Sequence, residues 1–192
     1  MPNWCTTSYA LTGERKEVRS LYNAMKRLQE RKTPLAPNGF GTNWLGCLVK
    51  ALGKDPQSVY CRGCWSNLKL SEEGVLTFDT EHAWSRPAEV EMVIESAFPS
   101  VKIWFLEEEL GMDIFQTNDE SGEFFKQQVI IDEESEGMEY YTEEEAFGRL
   151  SELTGKPVTS WEDAEGCLSA LNQAQDEASG EGHVWIHKAD IV

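Results

Sequence analysis

Two cysteines in the stretch "YCRGCW", Cys61 and Cys64, have the C-x-x-C spacing that occurs in zinc sites and in thiol–disulfide switches. A structural zinc ion takes about four ligands, and the pair that could complete the set is His183 with His187 in "HVWIH". That segment is typical of a strand, where four residues span about 13 Å, too far for one ion. A redox C-x-x-C pair normally lies at the start of a helix, and this segment does not begin one. Cys61 and Cys64 are therefore a weak metal or redox candidate, and we predict no cofactor.

Two other patterns could carry chemistry. The glycine-rich stretch "NGFGTNWLG" could cradle a phosphate, but it matches neither the dinucleotide fingerprint nor a P-loop. Carboxylates cluster at Glu107, Glu108 and Glu109, and again in "DEESE" and "TEEE". Because no EF-hand pattern and no nucleophile with a histidine accompanies them, we expect a solvated rim. No recognisable catalytic set remains, and the sequence favours a protein that is not an enzyme.

Tryptophans form the third candidate group. Trp4, Trp65, Trp84 and Trp104 lie on or beside predicted sheet elements, and aromatic side chains on a sheet face can stack nucleobases. The K/R-G-F/Y pattern of RNA-recognition domains is absent, so we predict that these tryptophans pack in the core. Candidates for ligand or partner contact are Trp65, Trp84, Arg86 and Glu109.

Composition and charge restrict the class of protein. The chain of 192 residues is 40% hydrophobic, carries a formal net charge of −17 and has no apolar run long enough to span a bilayer. Residues 1–64 hold 10 basic and 4 acidic residues, whereas residues 65–192 hold 7 and 30. Such a field disfavours direct nucleic-acid binding and favours basic partners. Five scattered cysteines, and an N-terminus without the features of a signal peptide, predict a cytoplasmic protein with reduced thiols.

The first half of the chain predicts alternating strands and helices. A strand over 4–12 precedes a helix whose apolar positions recur at helical spacing, with basic flanks that we expect to neighbour the protein's own carboxylates. An inserted loop and short helix occupy 33–58, and "SEEG" joins two strands as a hairpin. Ser85 is the expected N-cap of a helix that leads into the strand "VKIWFLEEE". The order βαββαβ predicts an α+β fold, a ferredoxin-like plait, extending over 1–132 with its insertion.

The sequence pattern of the remaining chain predicts further strands and helices after this plait. "MDIFQT" and "EFFKQQVIID" are expected to form a β-hairpin. Residues 133–192 read as a small helical C-terminal segment with capping boxes at Thr142 and Ser160. "DEASGEG" is expected to be a flexible connector, and "HVWIHKADIV" a final edge strand.

Three stretches in this order resemble a known family. The opening "MPNWCT", the helix start "AWSRP" and "FPSVKIWFLEEELGMDIF" are similar to the YubB-type ferredoxin-like domain family of plasmid and phage proteins, which includes Api-like phage proteins. The resemblance spans residues 1–132. It departs at "CWSNLKL", where relatives carry a Trp-Gly-Thr-Lys-Trp stretch. The resemblance implies a ferredoxin-like fold and a bacterial mobile-element setting, and no established reaction.

These observations give one expected function and two alternatives. The first is a non-enzymatic cytoplasmic accessory protein of a mobile element that acts through a protein partner. The second is an acidic DNA mimic that occupies a DNA-binding protein of host defence, based on the charge of residues 65–192. The third is an enzyme or small-ligand binder with a pocket near Trp84, Arg86 and Glu109. Fold alone does not choose among them.

Overall fold

The computed structural model describes residues 3–178 and 182–192 of a mixed α+β chain. It divides into two compact units: the first ends at Asp119 and also includes Val192, and the second comprises Glu120–Ile191. Of the predicted connector 176–182, residues 179–181 lie outside the described residues. No helix among the described residues is long and apolar enough to cross a bilayer.

The first unit contains the predicted order of strand, helix, strand, strand, helix, strand, with one further helix in the predicted insertion and one further strand after it. Its elements are β1 (Trp4–Thr12), α1 (Arg15–Gln29), α2 (Leu45–Ala51), a 3-10 turn (Pro56–Ser58), β2 (Gly63–Leu70), β3 (Leu76–Ala83), α3 (Ala88–Ala97), β4 (Lys102–Glu109), a 3-10 turn (Leu110–Met112) and β5 (Ile114–Thr117).

The strands of the first unit form an antiparallel sheet in the order β2-β3-β1-β4-β5. β1 is central, and its register places Cys5 opposite His82 and Thr7 opposite Glu107. One sheet face packs against the helices through a continuous apolar core. Members of that core include Tyr9, Leu11, Val18, Leu21, Met25, Leu28, Leu48, Trp65, Phe78, Val90, Ile94 and Phe105.

Strand β2 is irregular. Its pairing with β3 shifts register between Ser66 and Lys69, and Asn67 adopts a left-handed conformation with φ 52°. An isolated bridge from Trp44 to Cys64 lies beside the strand. β2 begins at Gly63, four residues later than the predicted start at 59, and the Gly63 N–H turns back to the Cys61 carbonyl at 3.0 Å.

The second unit is a three-stranded antiparallel sheet with two helices. The strand order is β7-β6-β8, and its core includes Val129, Ile131, Ala146, Leu150 and Val184. The predicted capping box between Thr142 and Glu145 is confirmed at the start of α4. The elements are β6 (Val129–Glu133), β7 (Gly137–Tyr141), α4 (Glu143–Thr154), α5 (Trp161–Ala178), β8 (Val184–Lys188) and β9 (Asp190–Ile191).

The predicted hairpin between "MDIFQT" and "EFFKQQVIID" is wrong. β5 folds back onto β4 through a tight turn in which Asp113 has φ 58°, and β6 pairs with β7 and β8 instead. Strand patterns identify strands but not their partners, so the sequence misassigned the pairing. Residues 133–192 accordingly contain strands as well as the two predicted helices.

Candidate functional site

The two cysteines of "YCRGCW" lie in different surroundings. Cys61 is buried in the core of the first unit, and its Sγ lies 3.5 Å from the Pro56 carbonyl. Cys64 is half-buried on β2 opposite Glu81. Burial raises the pKa of both thiols, and both zinc ligation and thiol exchange need the thiolate. Among the described residues no group of three or more His, Cys, Asp or Glu side chains is arranged to hold a metal ion.

The four candidate contact residues separate into two locations. Trp65 is 0% exposed and belongs to the core, so it offers no surface to a partner. The other three lie at one end of the sheet, where β3 leads into α3 and β4 ends. Trp84 is 48% exposed there, whereas Arg86 and Glu109 are half-buried. Of these three residues, Trp84 is the most exposed and the best placed to contact a partner.

Trp84 lies at the centre of a γ-turn. The N–H of Ser85 donates to the carbonyl of Ala83 at 3.0 Å, and Trp84 has φ 73°. This rare form of the γ-turn is strained, and a positive φ disfavours any residue with a side chain. A second γ-turn follows at Pro87, with φ −78° and ψ 61°. α3 therefore begins at Ala88 with Pro87 as its N-cap, and the prediction of Ser85 as N-cap is wrong.

Two hydrogen bonds from the start of β1 hold the strained turn in place. The Trp84 N–H donates to the carbonyl of Asn3 at 2.9 Å, and the Cys5 thiol donates to the Trp84 carbonyl at 2.7 Å. Burial, followed by the carboxylates of Glu107 and Glu109, raises the pKa of Cys5 to about 11. The thiol therefore stays protonated and remains a donor to the turn.

The buried carboxylate of Glu107 supports the next residue. It is 0% exposed and accepts the backbone N–H of Arg86 and the side-chain amide of Gln116, each at 2.6 Å. A buried carboxylate is costly unless its oxygens accept hydrogen bonds, and both oxygens do so here. This arrangement fixes the chain between Trp84 and α3.

The Arg86 side chain contacts other side chains of the first unit. Its guanidinium stacks 3.9 Å from the centroid of Phe105 and pairs with Glu91 at 2.7 Å. Glu91 also accepts the Tyr9 hydroxyl at 2.6 Å, and burial raises the pKa of both Glu91 and Tyr9. Arg86 is thus a positioning residue of the turn and not a free anion-binding group.

Three exposed aromatic residues adjoin Ala83, and a fourth contacts one of these three. Trp4 is its backbone partner on β1, the Tyr60 hydroxyl donates to its carbonyl at 3.1 Å, and Trp84 follows it in the chain. Phe40 meets the Trp4 ring edge-on, with ring centroids 6.5 Å apart. The exposed fractions of Trp4, Phe40, Tyr60 and Trp84 are 45, 38, 42 and 48%. We name these four residues the aromatic surface.

Three carboxylates lie near the aromatic surface. Glu89 accepts the backbone N–H of Tyr60 at 2.6 Å, and exposed Glu81 lies on β3 two residues before Ala83. Glu109 acts electrostatically on Cys5, which bonds to the carbonyl of Trp84. Aromatic faces next to carboxylates attract cations, and the same carboxylates repel phosphates. The arrangement suits Lys or Arg side chains of a partner.

Sequence reasoning recovered only part of this surface. It singled out Trp84 but assigned Trp4 to the core, and it passed over Phe40 and Tyr60 entirely. The prediction that the tryptophans pack in the core is confirmed for Trp65 and is wrong for Trp4 and Trp84, which are exposed. No local pattern marks Phe40 or Tyr60, because their convergence depends on loops whose paths are set by tertiary contacts.

Comparison with known proteins adds no relative. No protein-family model matches the chain, and no curated protein or solved structure matches it.

Proposed function

We propose that this protein is a non-enzymatic accessory protein that binds a basic segment of a protein partner through the aromatic surface. The observation that carries the proposal is the grouping of four exposed aromatic residues around Ala83 and Trp4, beside Glu81 and Glu89. A cation over an exposed aromatic ring contributes about 0.5–1 kcal/mol, and more when it is desolvated. Several such contacts, with carboxylates at the rim, give a specific site for Lys and Arg side chains.

The strain at Trp84 supports a role in binding. A large aromatic residue occupies a conformation that glycine would adopt without cost, and about half of its side chain faces solvent. Strained and exposed residues of this kind concentrate at binding sites, where their presentation matters more than local stability. Exposed tryptophans also contribute disproportionately to protein interfaces.

The proposal extends to the fold type and setting. The first unit would be a ferredoxin-like plait, which the strand order β2-β3-β1-β4 and its antiparallel pairing support. The resemblance of residues 1–132 to the YubB-type family supports a cytoplasmic accessory role in a bacterial mobile element.

The acidic DNA mimic is the second candidate, since residues 120–192 hold 18 acidic and 4 basic residues. Several of those carboxylates have structural partners, however. Glu145 caps α4, Glu133 pairs with Arg149 at 2.7 Å, and Glu134 accepts the N–H of Gly182. Side chains committed in this way are less available to imitate phosphates, so the observations favour the aromatic surface.

The test measures binding of a fluorescently labelled 12-residue Lys/Arg-rich peptide by anisotropy, with a Glu-rich peptide as the negative probe. We expect Trp4→Ala to weaken binding by about tenfold, equivalent to about 1.4 kcal/mol. Trp185→Ala is the matched control, because Trp185 is 46% exposed and Trp4 is 45% exposed. Equal loss in both variants, or no binding by the wild type, would overturn the proposal.

A second arm separates the two candidates. Glu144→Gln combined with Glu162→Gln neutralises one exposed carboxylate of α4 and one of α5 and leaves the aromatic surface unchanged. If peptide binding depends on the aromatic surface, this variant binds within twofold of wild type. A larger loss than that of Trp4→Ala would favour the acidic second unit as the binding surface.

A further inference from the structure

The solvent face of α1 carries cations that the protein leaves unpaired. Arg15, Lys16, Arg19, Lys26 and Arg27 are all exposed. Among the side chains of residues 3–176 and 182–192, none of them forms an ion pair with a carboxylate; the ion pairs there involve Arg86, Arg149, His183 and Lys188. The expectation that the basic flanks of α1 neighbour the protein's own carboxylates is not accompanied by an ion pair at these five residues and stays a prediction. We name these five residues of α1 the basic stripe.

The basic stripe lies along one side of the helix in two groups, Arg15, Lys16 and Arg19 near its start and Lys26 and Arg27 near its end. At 3.6 residues per turn its five members fall within about 120° of the helix circumference and extend over about 18 Å of axis. The opposite side is the buried row of Val18, Leu21, Met25 and Leu28. Glu17 lies off the stripe and accepts hydrogen bonds from Ser100 at 2.7 and 2.9 Å.

Local contacts leave these charges available. The Arg15 guanidinium donates to a backbone carbonyl, that of Glu72, at 3.0 Å, and the Lys26 ammonium lies 5.8 Å from the centroid of the Tyr22 ring. Neither contact neutralises the positive charge. The stripe is thus a row of formal positive charges in a chain whose net charge is −17.

We propose that the basic stripe binds the phosphodiester backbone of a nucleic acid without reading its bases. Along the axis of a duplex each strand carries a negative charge about every 3.4 Å, so the five cations, spread over about 18 Å, can face at most about five phosphates. This inference is independent of the aromatic surface. It also reverses the expectation drawn from net charge, since at physiological salt charges more than about 8 Å apart are largely screened.

Other anionic partners fit the stripe less well. A membrane-surface helix inserts large apolar side chains beside its cations, and none of the exposed large hydrophobic side chains among the described residues lies on α1. A second copy of this chain would bring a further net charge of −17, and high net charge of one sign keeps proteins apart.

The experiment compares two variants of equal charge. Arg19→Glu with Lys26→Glu reverses two members of the stripe, and Lys102→Glu with Lys156→Glu reverses two exposed lysines elsewhere. Probes are a labelled 20-nucleotide single strand and a 20-base-pair duplex at 50 mM salt. We expect the stripe variant to bind at least tenfold more weakly and the control within about twofold. The salt slope of wild type should approach about −3.5 for the single strand and −4.5 for the duplex.

Four outcomes would overturn the inference: no binding of either oligonucleotide, equal weakening by both variants, binding only to phosphatidylglycerol vesicles, or salt-sensitive self-association in sedimentation that the stripe variant removes. Arg19→Gln with Lys26→Gln is the milder variant if the reversal perturbs folding, and thermal unfolding verifies both. Trp4→Ala should leave oligonucleotide binding unchanged, which keeps this result separate from that of the peptide experiment.

Discussion

The carboxylate of Glu107, fully buried at the end of β4, accepts the backbone N–H of Arg86 at 2.6 Å. This one contact joins the centre of the sheet to the strained turn that presents Trp84. It makes the geometry of the exposed turn depend on a residue that no partner can touch.

Removing the Glu107 carboxylate should destabilise the fold. In Glu107→Leu the N–H of Arg86 and the amide of Gln116 lose their acceptor, and each unsatisfied buried donor costs about 1–3 kcal/mol. Glu107→Gln should cost less, because a flipped Gln116 amide restores both hydrogen bonds. Urea unfolding measures the difference, with the exposed Glu144→Gln as control. Equal losses for the Leu and Gln variants would contradict this account.

Trp84→Gly should separate stability from binding. Glycine adopts φ 73° without the steric cost of a side chain, about 1–2 kcal/mol in left-handed conformations. We expect the free energy of unfolding to stay the same or rise while the affinity for the Lys/Arg-rich peptide falls. Trp84→Ala keeps the strain and should be less stable than Trp84→Gly. The reverse order would show that the indole stabilises the turn by more than its backbone costs.

The stability of the first unit should fall in mild acid because of His82. This side chain is 0% exposed and lies 2.8 Å from the Thr7 hydroxyl, and burial lowers its pKa from 6.5 to about 4. Between about pH 6.5 and pH 4 the His82 imidazole is protonated in the unfolded chain but stays neutral in the folded chain. Stability therefore decreases as pH drops from about 6.5 to about 4, by about 3 kcal/mol from this group. Urea unfolding of wild type and His82→Gln at pH 7 and 4.5 tests this, and parallel pH profiles would refute it.

The thiols of "YCRGCW" should be poorly reactive. Since burial raises the pKa of Cys61 and Cys64, alkylation by iodoacetamide at pH 7.4 should be slower than for a free cysteine peptide. Native mass spectrometry of the reduced protein should give the same mass with and without a chelator. A chelator-sensitive excess that Cys61→Ser with Cys64→Ser abolishes would instead identify a metal site.

His183 should titrate above its ordinary range. Hydrogen bonding to Asp176 at 2.9 Å, and then to Glu134, raises its pKa above 6.5. This group therefore stabilises the folded chain below pH 6.5, and the contribution is lost as pH rises through the folded value. NMR titration of the imidazole in wild type and Asp176→Asn measures the shift, which the substitution should reduce. An unchanged His183 titration in Asp176→Asn would rule out the Asp176 contact.

Most of the predictions that the structure confirms rest on helical periodicity. The α1 positions Val18, Leu21, Met25 and Leu28 are buried as their spacing indicated, and the box of Thr142 with Glu145 caps α4. Both signals are local, because neighbours on a helix are near in sequence. Strand pairing is not local, which is why β6 was assigned to β5 when its partners are β7 and β8.

The candidate site was only partly accessible to sequence reasoning for the same physical reason. Glu107 looked like one of three rim carboxylates, and only its position on the helix-facing side of the sheet makes it a buried acceptor. Trp4 looked like a core residue, although Cys5 is the buried member of that pair. A shift of one residue along a strand exchanges the two faces, and the sequence contains no marker for which face the helices cover.

The irregularity of β2 has a consequence for behaviour at high concentration. An unpaired outer strand is a template on which other chains can add, and this is a route to aggregation. In β2 the left-handed Asn67 and the register shift between Ser66 and Lys69 interrupt the row of backbone donors and acceptors, and the Trp44 bridge occupies part of the remainder. The distortion that makes the β2 ladder irregular therefore disfavours addition of another chain at this edge of the first sheet.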